Sequence, residues 1–123
     1  MDIVFMGTPE FAVPSLEALI DADYTPCAVV TGPDRPRGRG QTVTPTPVKK
    51  AALDAGIEPI VQPESVKDPA FAEQMANLAP DVMVVVAFKI LPPAVFTKAT
   101  QGAFNLHGSL LPKYRGAAPI NWA

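Results

Sequence analysis

Five short apolar runs recur along the chain and predict the strands of a parallel sheet. They span residues 2–6, 26–31, 57–62, 81–87 and 104–107. The runs are predominantly apolar, which is typical of strands buried on both faces. Segments at 9–21, 48–55, 69–78 and 93–97 lie between them and fit helices. This alternation predicts an α/β fold of the Rossmann-like kind, a doubly wound and mostly parallel sheet.

Turn and cap residues mark where the predicted helices begin and end. Thr8 is expected to cap the first helix, with Pro9 at its first position. Asp68 or the segment before it is expected to cap the helix at 69–78, and Gly56 is expected to end the helix that Pro47 opens. The apolar side of the first helix is expected to consist of Phe11, Leu16, Leu19 and Ile20.

Residues 32–47 predict a long loop that carries a concentrated positive charge. Segment 34–50 has a net charge of +4, so the remainder of the chain is −6 within an overall charge of −2. Arg35, Arg37 and Arg39 alternate with Pro and Gly. Guanidinium groups bind phosphate oxygens in pairs, so one interpretation is contact with a nucleic-acid backbone. The other is a solvated flexible loop.

The last predicted strand carries Asn105 and His107, two residues apart and therefore on one face. Carboxyl ends of strands in such sheets are where ligands bind. An Asn amide can stabilise a developing oxyanion, and His can carry a proton near neutral pH. The pair therefore suits attack on a carbonyl carbon, and the alternative is a cap or core histidine beside a turn-forming Asn. Likewise, the turn Gly7–Pro9 is either structural or presents N–H groups to a ligand.

Composition excludes several classes of function. A lone cysteine, Cys27, rules out an internal disulfide and is expected to pack in the core. One histidine and scattered carboxylates give no metal-ligand spacing, so no metal is expected. No apolar run approaches the length of a membrane span, and no leader precedes the first strand, so a cytoplasmic protein without membrane contact is expected.

Three motifs resemble those of the folate-dependent formyltransferases. The stretch from Asn105 to Gly116 contains the Asn-x-His-x-Ser-Leu-Leu-Pro pattern of that family. The opening Phe-Met-Gly-Thr-Pro-Glu-Phe of residues 5–11 and the Pro-Asp-Arg-Pro-Arg-Gly-Arg-Gly of residues 33–40 resemble the branch that formylates methionyl-tRNA. The motifs occur in the family's order and cover nearly the whole chain.

The resemblance implies formyl transfer from 10-formyltetrahydrofolate to the α-amino group of initiator methionyl-tRNA, in translation initiation. It implies catalytic roles for Asn105 and His107. Folate contacts are implied for residues that flank the proposed donor: Phe88, Lys89, Ile90, Leu91, Ser109, Leu110, Leu111 and Pro112. Contacts to the tRNA acceptor are implied for Gly7, Thr8, Pro9, Arg35, Arg37, Arg39, Lys113 and Arg115, with Arg39 the first choice. Many relatives carry Tyr-Gly where this chain has Phe88-Lys89, so backbone contacts there are the firmer expectation.

The resemblance also implies parts that the sequence does not contain. The family uses an aspartate some tens of residues beyond the Asn-x-His pair, and a C-terminal tRNA-binding domain. Residues 1–123 are therefore expected to be the amino-terminal part of a catalytic domain, with little activity alone, from a protein that is monomeric at full length. Two alternatives stay open: a sugar-nucleotide N-formyltransferase, or a non-catalytic folate-binding or tRNA-binding module.

Overall fold

The structure is a computed structural model that describes residues 1–37, 42–106 and 120–122. It contains helices and strands, and a 3-10 turn at Glu10–Ala12 precedes the first helix. The helices are α1 (Val13–Asp21), α2 (Pro47–Asp54), α3 (Pro69–Leu78) and α4 (Pro93–Phe96). The strands are β1 (Ile3–Gly7), β2 (Ala28–Val30), β3 (Arg35–Arg37), β4 (Thr42–Thr44), β5 (Ile60–Val61), β6 (Val82–Val86), β7 (Ala103–Leu106) and β8 (Ile120–Trp122).

The main sheet has the strand order β5-β2-β1-β6-β7-β8. The first five strands in this order are all parallel to one another. Strand β8, which the sequence did not predict, pairs antiparallel with β7. The predicted fold class, a mostly parallel doubly wound sheet, is confirmed. The chain builds outward from β1 in one direction and then returns to add β6 on its other side. This reversal between β1 and β6 is the switch point at which such sheets bind ligands.

Apolar side chains fill a layer on each face of the sheet. One layer joins β1 and β6 to α3 and α4 through Met6, Val85, Phe71, Met75 and Val95. The other joins them to α1 and α2 through Phe5, Val86, Leu16, Val48 and Ala52. Because both faces are covered by helices, the parallel strands consist mainly of apolar residues, with Asn105 of β7 as the polar exception.

Local signals set several helix boundaries as predicted. The Asp68 side chain accepts a hydrogen bond from Ala70 N at 3.0 Å, so it caps α3. Pro47 opens α2, and Gly56 follows its end with a φ of +74°. Helix α3 ends differently, because Ala79 takes the left-handed conformation at φ 47° in place of a glycine. The prediction for Phe11 was wrong, since it lies in the 3-10 turn and is 48% exposed.

Candidate active site

The carboxyl ends of the three central strands form an aligned edge. Gly7, Val86 and Leu106 are register partners across β1, β6 and β7. Asn105 is half-buried and pairs with Val85 one row behind that edge. It shares its face with Ala103, which packs in the layer formed with α3 and α4. His107, the next residue on this face by sequence, lies outside the described residues.

Gly7 is where the backbones come closest at this edge. A Cβ at Gly7 would lie 2.8 Å from the Val86 carbonyl oxygen and 2.9 Å from the Ala12 Cβ. Both distances are shorter than real Cβ atoms show, and the first is to backbone, which cannot rotate away. The turn after β1 therefore requires glycine to pass this close to β6.

Thr8 has a different role from the predicted helix cap. Its Oγ1 accepts a hydrogen bond from Gly32 N at 3.2 Å. Pro9 takes the cap position of the 3-10 turn, and its carbonyl accepts from Ala12 N at 2.9 Å. The Thr8 hydroxyl therefore joins the turn after β1 to the segment that leaves β2. The sequence could not show this because the donor comes from a distant segment.

The basic segment is a hairpin rather than the predicted loop. Strand β3 pairs antiparallel with β4, with Arg35 opposite Thr44 and Arg37 opposite Thr42. The two strands form a sheet of their own beside the main one. The Arg35 guanidinium lies 3.8 Å from the Glu64 carboxylate, and both side chains are largely exposed. Arg39, the first choice for a tRNA contact, lies outside the described residues.

A pair of buried hydroxyls closes the base of this hairpin. Thr31 and Thr46 are fully buried, and their Oγ1 atoms lie 2.6 Å apart. Thr46 Oγ1 also accepts from Lys49 N at 3.0 Å, so the same hydroxyl caps α2. The start and the end of the hairpin segment are therefore fastened to each other and to a helix.

Polar side chains make a second set of contacts at the hairpin base. Gln62 Nε2 donates to Gly32 O at 3.0 Å and to Asp34 Oδ1 at 2.8 Å. Lys49 Nζ donates to the two oxygens of Asp34 at 3.2 and 3.0 Å. Sequence reasoning missed Gln62, although a polar residue directly after the carboxyl end of a strand was the available signal.

The segment predicted to contact folate follows β6 and has mixed exposure. Ala87 has a φ of 50°, which turns the chain away from the sheet edge. Phe88 packs partly against the α3–α4 layer, Lys89 Nζ donates to Glu64 O at 3.2 Å, and Ile90 is 89% exposed. The Leu91 side chain is core, 7% exposed, so only its backbone is left for a ligand.

The remaining predicted site residues lie outside the described residues. These are Ser109, Leu110, Leu111, Pro112, Lys113 and Arg115. For Arg37 the structure describes the backbone alone, within β3. Among the residues that the structure describes, the turn at Gly7–Pro9, the hairpin base and the segment after β6 follow the carboxyl ends of strands, and Asn105 lies one residue before the end of β7.

An apolar recess of about 350 Å³ lies on the other face of the sheet. Its lining residues come from α1, β6 and β7: Ser15, Ala18, Leu19, Val84, Phe104 and Leu106. Asn105 faces the opposite layer, since it alternates with Phe104 and Leu106 along β7. The recess is therefore separate from the candidate active site.

Charged groups at the amino end of the sheet take no part in the site. Asp81 Oδ2 accepts from Asp2 N at 2.7 Å, at the end of the strands remote from Asn105. Nearby, burial raises the pKa of the Cys27 thiol, and the negative charge of Asp2 adds to the rise. No cluster of three metal-ligating side chains occurs in residues 1–37, 42–106 and 120–122. Over the same residues, no helix is both long and apolar enough to cross a membrane.

Comparison with known proteins gives matches that extend over the whole chain. Residues 1–123 match the family model described as formyl transferase. The methionyl-tRNA formyltransferase of Chlorobium luteolum is 60% identical over 126 residues, which cover 100% of this chain and 40% of the relative. Those of Pelotomaculum thermopropionicum and Methylococcus capsulatus are 56% and 55% identical, over 100% of this chain and 39% and 40% of their own lengths. The chain thus spans about 40% of the length of these relatives, and it belongs to the formyl transferase family.

Proposed function

We propose that this chain supplies part of a site that transfers a formyl group from 10-formyltetrahydrofolate to the α-amino group of initiator methionyl-tRNA. The observation that carries the proposal is the whole-chain match to relatives named methionyl-tRNA formyltransferase. The geometry adds support, because the basic hairpin is fastened to the turn at Thr8, at the same sheet end as Asn105. The proposed reaction takes place in the cytoplasm, where translation begins.

In the proposed reaction the methionyl amine attacks the formyl carbon, and a new C–N bond forms. The carbonyl oxygen becomes an oxyanion, to which the Asn105 amide donates a hydrogen bond. The bond from the formyl carbon to N10 of the folate then breaks. The proton lost by the attacking amine passes to that leaving nitrogen, with His107 as its carrier.

The folate donor is proposed to lie against the segment that follows β6. Phe88 packs against the same layer that Asn105 faces, and the exposed side chain of Ile90 offers an apolar surface to a pterin ring. Backbone groups of residues 88–91 are proposed to read the ring's polar edge. Ser109, Leu110, Leu111 and Pro112 are proposed to complete this side of the pocket, as the family resemblance implies.

The acceptor is proposed to bind along the basic hairpin, with its methionyl end beside the Gly7–Pro9 turn. Arg35 is exposed on β3 and carries a guanidinium suited to a phosphate. Arg37, Arg39, Lys113 and Arg115 are proposed to extend the contact along the RNA. The proposed binding is electrostatic and therefore weakens steeply with salt.

The catalytic part can be tested in a chimera, in which residues 1–123 replace the aligned part of the Chlorobium luteolum relative. Transfer of radiolabelled formyl to methionyl-tRNA is expected, and Asn105→Ala should lower kcat by roughly 10²–10³-fold, as for loss of one oxyanion donor. Asn77→Ala on the exposed side of α3 is the matched control and should leave kcat unchanged. Full turnover by the Asn105 variant would refute the assigned role, and transfer only to an amino-sugar nucleotide would refute the acceptor.

The binding part can be tested in the same chimera. Arg35→Ala should weaken tRNA binding and reduce the slope of log K against log salt by about 0.9. Lys98→Ala removes the same charge from an exposed position after α4 and is the matched control. Equal losses for the two variants would mean that binding follows net charge and not the hairpin.

A further inference from the structure

The basic hairpin depends on contacts at its base for its orientation. Within the described residues, its two strands pair with each other and form no ladder with the main sheet. A two-stranded hairpin alone is marginally stable in water. The contacts of residues 31–34 and residue 46 therefore help to determine the direction in which β3 and β4 leave the sheet, together with the exposed pair Arg35–Glu64.

The Gln62 side chain makes two of these contacts. Both of its donated hydrogen bonds go to the strand entering the hairpin, one to Gly32 O and one to Asp34 Oδ1. The second is to a carboxylate, and charge-assisted hydrogen bonds of this kind are the stronger ones. The Gln62 amide therefore ties the loop after β5 to the hairpin entry.

Lys49 holds the same carboxylate from the other side. Its Nζ lies 3.0 Å from Asp34 Oδ2, and the side chains are 21% and 36% exposed, so water screens this pair only in part. Lys49 belongs to α2, whose cap Thr46 is hydrogen-bonded to Thr31. Asp34 is thus held between Lys49 of α2 and Gln62, which follows β5. Because Asp34 directly precedes Arg35, its position determines where β3 begins.

We propose that Gln62 is a positioning residue for acceptor binding, acting through Asp34 together with Lys49. The three side chains, which we call the hairpin clasp, orient β3 so that RNA phosphates bound by Arg35 bring the acceptor end beside Thr8. The link to Thr8 is direct, because Gly32 donates its N–H to Thr8 and accepts from Gln62 at its carbonyl. This proposal rests on the function proposed above. Its physical basis is that a hairpin held in its binding orientation has less freedom to lose when RNA binds.

The clasp can be separated from the arginines because Gln62 carries no charge. Gln62→Ala removes two hydrogen bonds, so tRNA affinity is expected to fall roughly tenfold. The slope of log K against log salt should stay at its original value, because no phosphate-binding cation is lost. Gln74→Ala, at an exposed position of α3, is the matched control and should change neither quantity. Gln62→Glu keeps the side-chain shape but faces Asp34 with a second carboxylate, so its loss should be at least as large.

Two readouts, both made on the chimera described above and on its Gln62 variants, decide the proposal. The first is tRNA binding at several salt concentrations, with affinity for a folate donor measured alongside and expected to be unchanged by Gln62→Ala. The second is hydrogen exchange of backbone amides, which should become faster in β3 and β4 of the Gln62 variants and stay the same in β1. The Gln62 side chain is half-buried at the surface, so these variants are expected to fold.

The outcomes are distinguishable from failure of the proposed function. Unchanged exchange in β3 and β4 would overturn the clasp, whatever the RNA result. Faster exchange with unchanged tRNA affinity would overturn the positioning role. If the chimera with unaltered residues 1–123 binds tRNA no better than a random RNA of equal length, the tRNA proposal fails, and the positioning role falls with it even where exchange confirms the clasp.

Discussion

The buried hydroxyl of Thr46 offers the sharpest test of how the hairpin base is held. It accepts the N–H of Lys49 at the start of α2 and lies 2.6 Å from the hydroxyl of Thr31. Replacing it with valine preserves the shape of the side chain and removes both interactions. Because both threonines are fully buried, no water can take over the lost partner.

The expected loss follows from two contributions. Removing a helix cap costs about 1 kcal/mol. The Thr31 hydroxyl would then be buried without a partner, which costs about 1–3 kcal/mol more. Thr46→Val should therefore lower the free energy of unfolding by about 3 kcal/mol, a large part of the stability of a small domain.

The double variant is expected to be more stable than one of the two single variants. Thr31→Val alone leaves the cap intact and should cost about 1 kcal/mol. In Thr31→Val/Thr46→Val no orphaned hydroxyl remains, so the double variant should be more stable than Thr46→Val alone. Urea unfolding followed by circular dichroism would measure all four free energies, and a constant m-value would show that the unfolded states are comparable.

A matched control separates the hydroxyl from the packing. Thr46→Ser keeps both hydrogen bonds and removes one buried methyl group, so it should cost about 1 kcal/mol. If the two valine variants prove additive, the hydroxyls are not coupled. If Thr46→Ser is as damaging as Thr46→Val, the methyl group and not the hydrogen bonds holds the hairpin base.

Other parts of the structure give three further predictions. Gly7→Ala should cost about 1–3 kcal/mol through overpacking against backbone, whereas Gly32→Ala, where a Cβ meets nothing closer than 3.4 Å, should unfold at nearly the original urea concentration. Ala79→Gly should stabilise the chain by about 1 kcal/mol in thermal unfolding, because glycine adopts the left-handed conformation without strain, and no gain would show that the alanine is unstrained. Since the pKa of Cys27 is raised above its usual 9.0, the thiol should react with iodoacetamide more slowly than in the urea-unfolded chain at pH 8. Its contribution to stability is present below the unfolded pKa and is lost as pH rises through the folded value, and Asp2→Asn should quicken alkylation.

The parts of the fold that sequence predicts well are those fixed by neighbouring residues. Helix α3 spans residues 69–78 as predicted, and the adjacent residues Asp68 and Pro69 mark its start. The five predicted strands overlap β1, β2, β5, β6 and β7, and those at 26–31, 57–62 and 81–87 are longer than the observed strands. An apolar run reports burial, whereas the length of a strand depends on how far its partner's ladder extends, as at β5, where only Ile60 and Val61 pair.

The errors come from contacts that are distant in sequence. Thr8 is a residue type that commonly caps helices, yet its hydroxyl accepts a hydrogen bond from Gly32 N, in the segment after β2. The basic segment has few apolar residues, which predicts a loop, whereas pairing of β3 with β4 makes it a hairpin. The role of Gln62 was not predicted because its partners, Gly32 and Asp34, lie thirty and twenty-eight positions earlier in the chain. The sequence motifs predict which residue types belong to the site. Their arrangement comes from the fold, which aligns Gly7, Val86 and Leu106 on neighbouring strands.

The order of strands in the sheet has a consequence for synthesis of the chain. Strand β1 is made first and lies at the centre, but Val82, the register partner of Ile3, leaves the ribosome only after roughly 80 more residues, about 4–16 s at ordinary elongation rates. During that interval β2 can cover one edge of β1, while the other edge stays unpaired and every residue in it is apolar. Nascent chains paused before β6 should therefore be the species that chaperones bind and that aggregates most readily.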